Sequence, residues 1–313
     1  MADIILSDRV RITKTDTVYT SQLNADTIRQ LKERYPFIEV GSIGKSVLGK
    51  ELFFMKLGNG RKKVFYSGAI HANEWITTPV LLQFMEDLAE AYVTEQTFNG
   101  VNVGRLLRRV SVYILPMLNP DGVDVVNGAI EENVKRMVEQ IARSYPNISY
   151  PSGWKANING VDLNLQFPAG WEQARQIKFS QGYTTPAPRD YVGEGPLTEP
   201  ESLAVYDFTL EQKFDLILAY HSQGEVIYWK YLDYEPDRSL EIARYFGEVS
   251  GYMVEETPQA SGYAGYKDWF IQEYNRPGYT IEVGIGENPL PLEQFPKIYA
   301  DNIGILLGGM TEI

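Results

Sequence analysis

Two periods of apolar and polar positions alternate along the chain, and each change of period marks an element. Asn24 reads as a helix N-cap, and Ile28, Leu31 and Tyr35 then recur at helical spacing until Pro36 stops the run. "FIEVGSIG" and "SVLGKELFFMKLGN" alternate with glycine breaks and read as paired strands. "KKVFYSGAI" is a strand expected to end at Ile70 and so to deliver His71. "TPVLLQFMEDLAEAYVTE" is the clearest amphipathic helix. "RRVSVYILPMLNP" is a strand closed by a turn at "NPDG", and "EENVKRMVEQIARSY" is a polar surface helix. From "PSGWKANINGVDLNLQFPAGWE" to "PLTEPES" the chain is rich in Gly, Pro and Asn and reads as a long loop. Trp and Tyr residues recur in it, which favours an ordered functional surface over disorder. Beyond it come the helix "EPESLAVYDFTLEQK", the strands "FDLILAY" and "EVIYWKY", and the helix "DRSLEIARYFGEVSG". The helix "GYAGYKDWFIQEYN", the strand "GYTIEVG" and the amphipathic helix "PLEQFPKIYADNIGILLGGM" close the chain. Strands alternating with helices predict an α/β domain with a largely parallel or mixed sheet covered on both faces.

Composition narrows the function classes. Apolar residues make up 44% and charged residues 22%, as in an ordinary globular enzyme. No repeat or obvious linker interrupts the 313 residues, so one large core is the simpler reading. Against 29 basic residues stand 41 acidic ones, a net charge of -12, which disfavours nucleic acid as a partner. No stretch reaches the roughly 18 apolar residues of a membrane span, and "MADIILSDRVRITK" lacks the core of a signal peptide. The chain as given is therefore expected in the cytoplasm. If it is a catalytic domain cut from a longer protein, the expectation becomes extracellular or wall-associated.

The candidate chemistry rests on scarcity. The chain has no cysteine and two histidines, so few residues can hold a transition metal. His71 lies in "SGAIHANEWITTP" with Glu74 three residues on, and His221 follows the apolar strand "DLILAY". Two imidazoles and a carboxylate would leave a zinc position open for water. Each half has a plain alternative: a surface His–Glu pair for the first, a hydrogen-bonded core histidine for the second. In "GYTIEVGIG", alternation puts Tyr279, Ile281 and Val283 on one face and Thr280 and Glu282 on the other. Glu282 is a general base if buried near an activated water, and an ordinary strand residue if it faces solvent. Lys155 could stabilise an oxyanion and Asn164 could hold a substrate carboxylate or carbonyl, with a solvated loop as the alternative for both. Tyr263 and Tyr266 could cover a cleft or simply pack.

The ordered set "HANEW", "NPDGV", "GVDLN", "YHSQG" and "TIEVG" resembles zinc carboxypeptidases of the carboxypeptidase A type from about Tyr35 to the C-terminus. The resemblance implies a single α/β domain with a mixed, roughly eight-stranded sheet between helices. It divides the chain into an N-terminal arm and helix over 1–34 and a catalytic domain over 35–313. It implies zinc on His71, Glu74 and His221, with Glu282 activating water. Lys155 falls where the family has an arginine, and supplies its charge without the bidentate fork. Where the family carries Asn-Arg, this chain reads Asn164, Leu165, Gln166, so the usual clamp on a C-terminal carboxylate is missing. Bacterial γ-D-glutamyl-L-diamino acid peptidases also lack that pair, and "GVDLNLQFPAGWE", "PRDYVGEGPLTEPES" and "IEVGIGENPLP" resemble them more closely. The implied reaction is hydrolysis of the amide between γ-D-glutamate and diaminopimelate or lysine in peptidoglycan stem peptides. Asn164, Gln166, Arg189 and Tyr263 are then the candidate substrate-binding residues, Arg189 as a relocated cation. The rivals are a conventional carboxypeptidase with another anchor, a non-catalytic wall-binding protein, and a zinc amidohydrolase of N-acyl amino acids.

Overall fold

The structure is a computed structural model that describes residues 10–313, so the N-terminal part of the expected arm, residues 1–9, lies outside the described residues. The strands are β1 (Glu39–Lys45), β2 (Glu51–Leu57), β3 (Lys62–Ser67), a separate hairpin of β4 (Thr97–Phe98) and β5 (Val101–Asn102), β6 (Val110–Leu115), β7 (Leu216–Ser222), β8 (Val226–Tyr228), β9 (Met253–Glu255) and β10 (Gly278–Val283). Eight of them form one mixed sheet in the order β1-β2-β6-β3-β7-β10-β8-β9. Its centre, β6-β3-β7-β10, is parallel, and β2 and β8 pair antiparallel at its two sides. β9 is a three-residue edge strand that the sequence pattern did not reveal.

The helices are α1 (Ser21–Arg34), α2 (Thr77–Val93), α3 (Val103–Leu107), α4 (Pro120–Val126), α5 (Glu132–Arg143), α6 (Trp171–Ser180), α7 (Pro200–Gln212), α8 (Ser239–Ser250), α9 (Tyr266–Tyr274) and α10 (Phe295–Thr311). They cover both faces of the sheet. On one face Val64, Tyr66, Val112, Ile114, Leu218 and Tyr220 pack with residues of α2, α8 and α10. On the other, Phe65, Tyr113, Leu115, Ile217 and Ala219 pack with Val205 and Phe208 of α7 and Trp269 and Phe270 of α9. Strand alternation therefore fixes the site face: His221 continues the Ile217, Ala219 side of β7. In the parallel pairing of β7 with β10, Glu282 stands opposite His221 and shares that face.

Several expectations are corrected. Thr20, not Asn24, caps α1: its hydroxyl accepts from Leu23 N at 3.2 Å, and Asn24 is buried inside the helix. α2 is not amphipathic in place, because its polar face is covered too. Glu86 accepts from Ile12 N and Thr13 N at 2.8 and 2.9 Å, and Asp87 from Arg11 and Tyr299. The chain ahead of α1 thereby supplies hydrogen bonds that let a helix with two buried acidic residues lie inside the core. Ile12, Tyr19, Ile28 and Leu31 join the main core cluster. The "NPDG" segment is a helix start, not a free turn: Asn119 caps α4 through Gly122 N at 3.0 Å, with Pro120 in the first turn. The long loop also contains α6, hidden by the glycines and prolines on either side of it.

Candidate metal centre

β3 ends at Ser67, earlier than Ile70, and three further residues carry the chain to His71. Those residues are held by the neighbouring strand end. Asn119 N donates to Ala69 O at 3.0 Å, and Asn119 Nδ2 donates to Ile70 O and Ala156 O at 3.2 and 3.0 Å. Gly122 lets α4 approach this close, since a Cβ there would lie 2.5 Å from Ala156 O. One asparagine thus fixes both the His71 loop and the Lys155 segment. His71 then caps a 3-10 turn, Ala72–Glu74, which brings Glu74 round beside it before α2 begins at Thr77.

The three candidate ligands converge. His71 Nδ1 lies 3.0 Å from Glu74 Oε1, His221 Nδ1 lies 3.0 Å from Glu74 Oε2, and the two Nδ1 atoms are 3.2 Å apart. One ligand atom from each residue falls within 4.8 Å of the others, a spacing that can hold a metal ion. The donor set fits zinc: two imidazoles and one carboxylate on rigid elements, with a coordination position left over. Ser222 N and Lys155 Nζ also donate to the Glu74 carboxylate, at 3.2 and 2.8 Å. Burial pushes the Glu74 carboxyl up, but Lys155 and His71 outweigh it and hold it well below the usual range. Burial works against a charged His71, yet Glu74 and Asp162 raise it to about 9. Glu282 is raised by burial and by Glu74, against the pull of His221.

Asp162 is the residue that sequence reasoning missed. Its Oδ1 lies 3.1 Å from His71 Nε2, and its own carboxylate is held by Asn164 N and Asp190 N at 3.2 and 3.1 Å. A ligating imidazole needs a partner on its second nitrogen to fix tautomer and ring plane. That rule could have flagged the aspartate of "GVDLN". Asp162→Asn is expected to weaken zinc binding about 10- to 100-fold while the fold persists, as read by competition with a chromophoric chelator. Unchanged affinity would remove Asp162 from this role.

His71, His221, Glu282, Lys155, Asn164 and Arg189 all line one cavity of about 210 Å³. Leu165 lines it too, so an apolar side chain stands where the resemblance would place a cationic clamp. Arg189 is partly exposed at the mouth, with its Nε 2.6 Å from Asp190 Oδ2. Lys178, unremarked in the sequence, sits beside it and pairs with the same aspartate. A larger open groove of about 730 Å³ adjoins the site and shares Lys155, Lys178, Arg189, Asp190 and Glu282 with it. Two expectations fail on geometry. Gln166 is fully buried: its Nε2 donates to Val192 O and Gly195 O, and its Oε1 accepts from Thr198 N and Glu199 N. It braces the loop and does not reach the cavity. Tyr263 lines a neighbouring hollow with Tyr231 and Leu232 and does not line the metal cavity. Tyr266 packs in the core with its hydroxyl 2.8 Å from that of Thr209.

Fold and site together define a metal-dependent hydrolase with its ligands at the carboxyl ends of central parallel strands. The zinc carboxypeptidase family matches residues 25–304; the chain belongs to that family and is a metallopeptidase with zinc as its cofactor. A γ-D-glutamyl-L-diamino acid endopeptidase 1 of Lysinibacillus sphaericus is 43% identical over 292 residues, 93% of this chain and 72% of that protein. The Bacillus subtilis protein YqgT, uncharacterized, is 40% identical and covers 93% of this chain and 77% of its own length. Among solved structures, bovine thrombin-activatable fibrinolysis inhibitor superposes with TM-score 0.71 at 18% identity, covering 95% of this chain and 98% of that one. Carboxypeptidase A of Helicoverpa armigera gives 0.70 at 20% identity, covering 95% and 73%. These two likenesses show the fold. No helix among the described residues is long and apolar enough to cross a membrane.

Proposed function

We propose that this chain hydrolyses the amide between γ-D-glutamate and a diamino acid in peptidoglycan stem peptides. The observation that carries the reading is the 43% identity, over 93% of the chain, to an endopeptidase named for that bond. Leu165 supports it: an apolar side chain lines the cavity where the resemblance would place the arginine that clamps a main-chain terminal carboxylate.

In this reading His71, Glu74 and His221 hold zinc. When bound there, zinc supplies Lewis acidity that lowers the pKa of water and polarises a carbonyl. Glu282, opposite His221 in the sheet register, accepts the proton of the attacking water and passes it to the leaving amine. Lys155 places an ammonium beside Glu74 and offsets negative charge growing on the scissile oxygen. Asn164 is positioned for a substrate carbonyl or carboxylate: its Oδ1 accepts from Tyr266 N at 3.0 Å, which leaves its amide NH₂ for the cavity. Arg189, at the junction of cavity and groove, is positioned to meet the α-carboxylate that a γ-linked glutamate carries off the line of the chain.

The test is mass spectrometry of products from L-Ala-γ-D-Glu-meso-diaminopimelate and from an all-α-linked L-peptide, each with and without a zinc chelator. Chelator-sensitive cleavage of the γ-D-glutamyl bond alone is expected. Cleavage of only the α-linked peptide would overturn the substrate assignment and leave Leu165 without a role.

A further inference from the structure

β7 and β10 deliver a metal ligand and the proposed base side by side, and their pairing ends one residue later, at Ser222 opposite Val283. Beyond that pair a side chain ties the two segments together. Asn288 lies in the loop that follows β10. Its Nδ2 donates to Ser222 O at 2.6 Å, and its Oδ1 accepts from Ser222 Oγ at 2.8 Å. The two bonds close a clasp across 66 positions of the chain. One backbone bond, from Gly224 N to Gly284 O at 2.7 Å, joins the same two segments.

Ser222 passes this restraint on to the metal centre. It is buried, and its N–H donates to Glu74 Oε2 at 3.2 Å. His221 Nδ1 lies 3.0 Å from that same oxygen. Every polar group of Ser222 is thus engaged, the N–H on the ligand carboxylate and the carbonyl and hydroxyl on Asn288. The clasp also specifies its residue type. Ser222 offers an acceptor and a donor together, and a short amide answers with a donor and an acceptor in one group, whereas a carboxylate has acceptors alone. The loop itself has a separate anchor. Gln294, immediately before α10, accepts from Ile285 N at 3.1 Å and donates to Ile285 O at 2.8 Å. That anchor grips the chain three residues ahead of Asn288, so holding the loop and holding Ser222 fall to different side chains.

We infer that Asn288 is a positioning residue: by fixing Ser222 it orients the Glu74 carboxylate beside His221 and sets the offset of that pair from Glu282. The inference rests on zinc held by His71, Glu74 and His221 and on Glu282 as the base, and not on which amide is cleaved. Asn288 acts through Ser222 and needs no contact with the metal. The donors on a ligand carboxylate keep its oxygens in place, and disturbing such a partner typically costs about 10- to 100-fold in metal affinity or activity. A shift of about 1 Å between reacting groups costs about a hundredfold in rate. A clasp at the point where the ladder ends restrains both quantities, because it joins the exit of the ligand strand to the exit of the base strand.

The experiment compares Asn288→Asp with Gln294→Ala. Asn288→Asp keeps the size of the side chain and the acceptor for Ser222 Oγ, but sets an oxygen against Ser222 O. It is expected to lower kcat about 10- to 100-fold with KM changed by less than about threefold, and to weaken zinc binding about tenfold. Zinc affinity is read by competition with a chromophoric chelator. Gln294→Ala releases the same loop at Ile285, and should lower the melting temperature while kcat and zinc affinity stay within about twofold of native. Ser222→Ala removes the hydroxyl half of the clasp from the other strand, and should move kcat and zinc affinity the same way by a smaller factor. It decides the matter if Asn288→Asp does not fold. Turnover is followed on whichever peptide the native chain cleaves, and zinc affinity needs no substrate. A failure of the γ-D-glutamyl reading therefore shows in the native chain, and a failure of this inference shows in the variants. Native kcat and zinc affinity in Asn288→Asp, or in Ser222→Ala where only that variant folds, would overturn the inference. So would a Gln294→Ala enzyme that loses turnover and zinc affinity as Asn288→Asp does, because loop stability would then be the cause.

Discussion

Glu282→Gln is expected to lower turnover by about a thousandfold while zinc stays bound. The substitution keeps the size and shape of the side chain and removes its ability to take a proton. The three residues whose ligand atoms converge on one point do not include Glu282, so metal content should be unchanged by elemental analysis. Its neighbours in the sheet stay as they are, because Glu282 pairs through its backbone with His221 on one side and Val226 on the other. Glutamine on that strand is tolerated, so the melting temperature should hardly move. A variant that kept more than about a tenth of native activity would be incompatible with general-base catalysis of the usual size and would remove the role from Glu282.

His221→Ala is expected to remove zinc and activity together. It deletes one of three ligands and leaves Glu74 Oε2 with Ser222 N as its partner, while His71 Nδ1 keeps Glu74 Oε1. Metal binding to a preformed site stabilises the folded state by mass action, by about 4 kcal/mol when free metal is a thousand times its dissociation constant. The native chain should therefore melt at a lower temperature after chelation and recover when zinc is added. His221→Ala should melt close to the chelated native chain and fail to respond to zinc. Stoichiometric zinc in the dialysed variant would show that the metal is held elsewhere. Read alongside Glu282→Gln, this separates loss of the metal from loss of the proton acceptor, since only one of the two variants should lack zinc.

Local pattern carried much of the fold. Alternation in "GYTIEVG" placed Glu282 on the face opposite Tyr279, Ile281 and Val283, and the sheet puts the latter three in the main core. Period-2 patterning depends only on the pleat of the strand, so it is readable from a single segment. Helix boundaries were less readable where capping competed. Asn24 and Thr20 are both good N-cap types, and what decides is the backbone: Thr20 is extended at φ -112° and ψ 168°, and its hydroxyl reaches Leu23 N. The reading of α2 as amphipathic followed correctly from Glu86, Asp87 and Glu90. It failed because residues 11–13 and Tyr299, distant in sequence, hydrogen-bond to two of those acids and bury them.

For the site, residue chemistry made His71, Glu74 and His221 candidate ligands and Glu282 a candidate base, and the resemblance to zinc carboxypeptidases gave them those roles. Proximity within one turn is local, so His71 and Glu74 could be joined from sequence. The tie from His71 to Asp162 spans 91 positions, and the anchoring of both the His71 loop and Lys155 by Asn119 spans 49 and 37. Gln166 and Leu165 are adjacent in sequence, yet one is enclosed by loop carbonyls and the other faces the cavity. Their separation is set by the turn of Leu163–Leu165 packed under α7 and by the irregular backbone at residues 192–199. The sequence by itself determined most of the strands and the longer helices, the face of the strand that carries Glu282 and the types of chemistry available. The tertiary structure alone decided which polar groups are already satisfied by partners far along the chain, and so which of them remain free to act on a substrate.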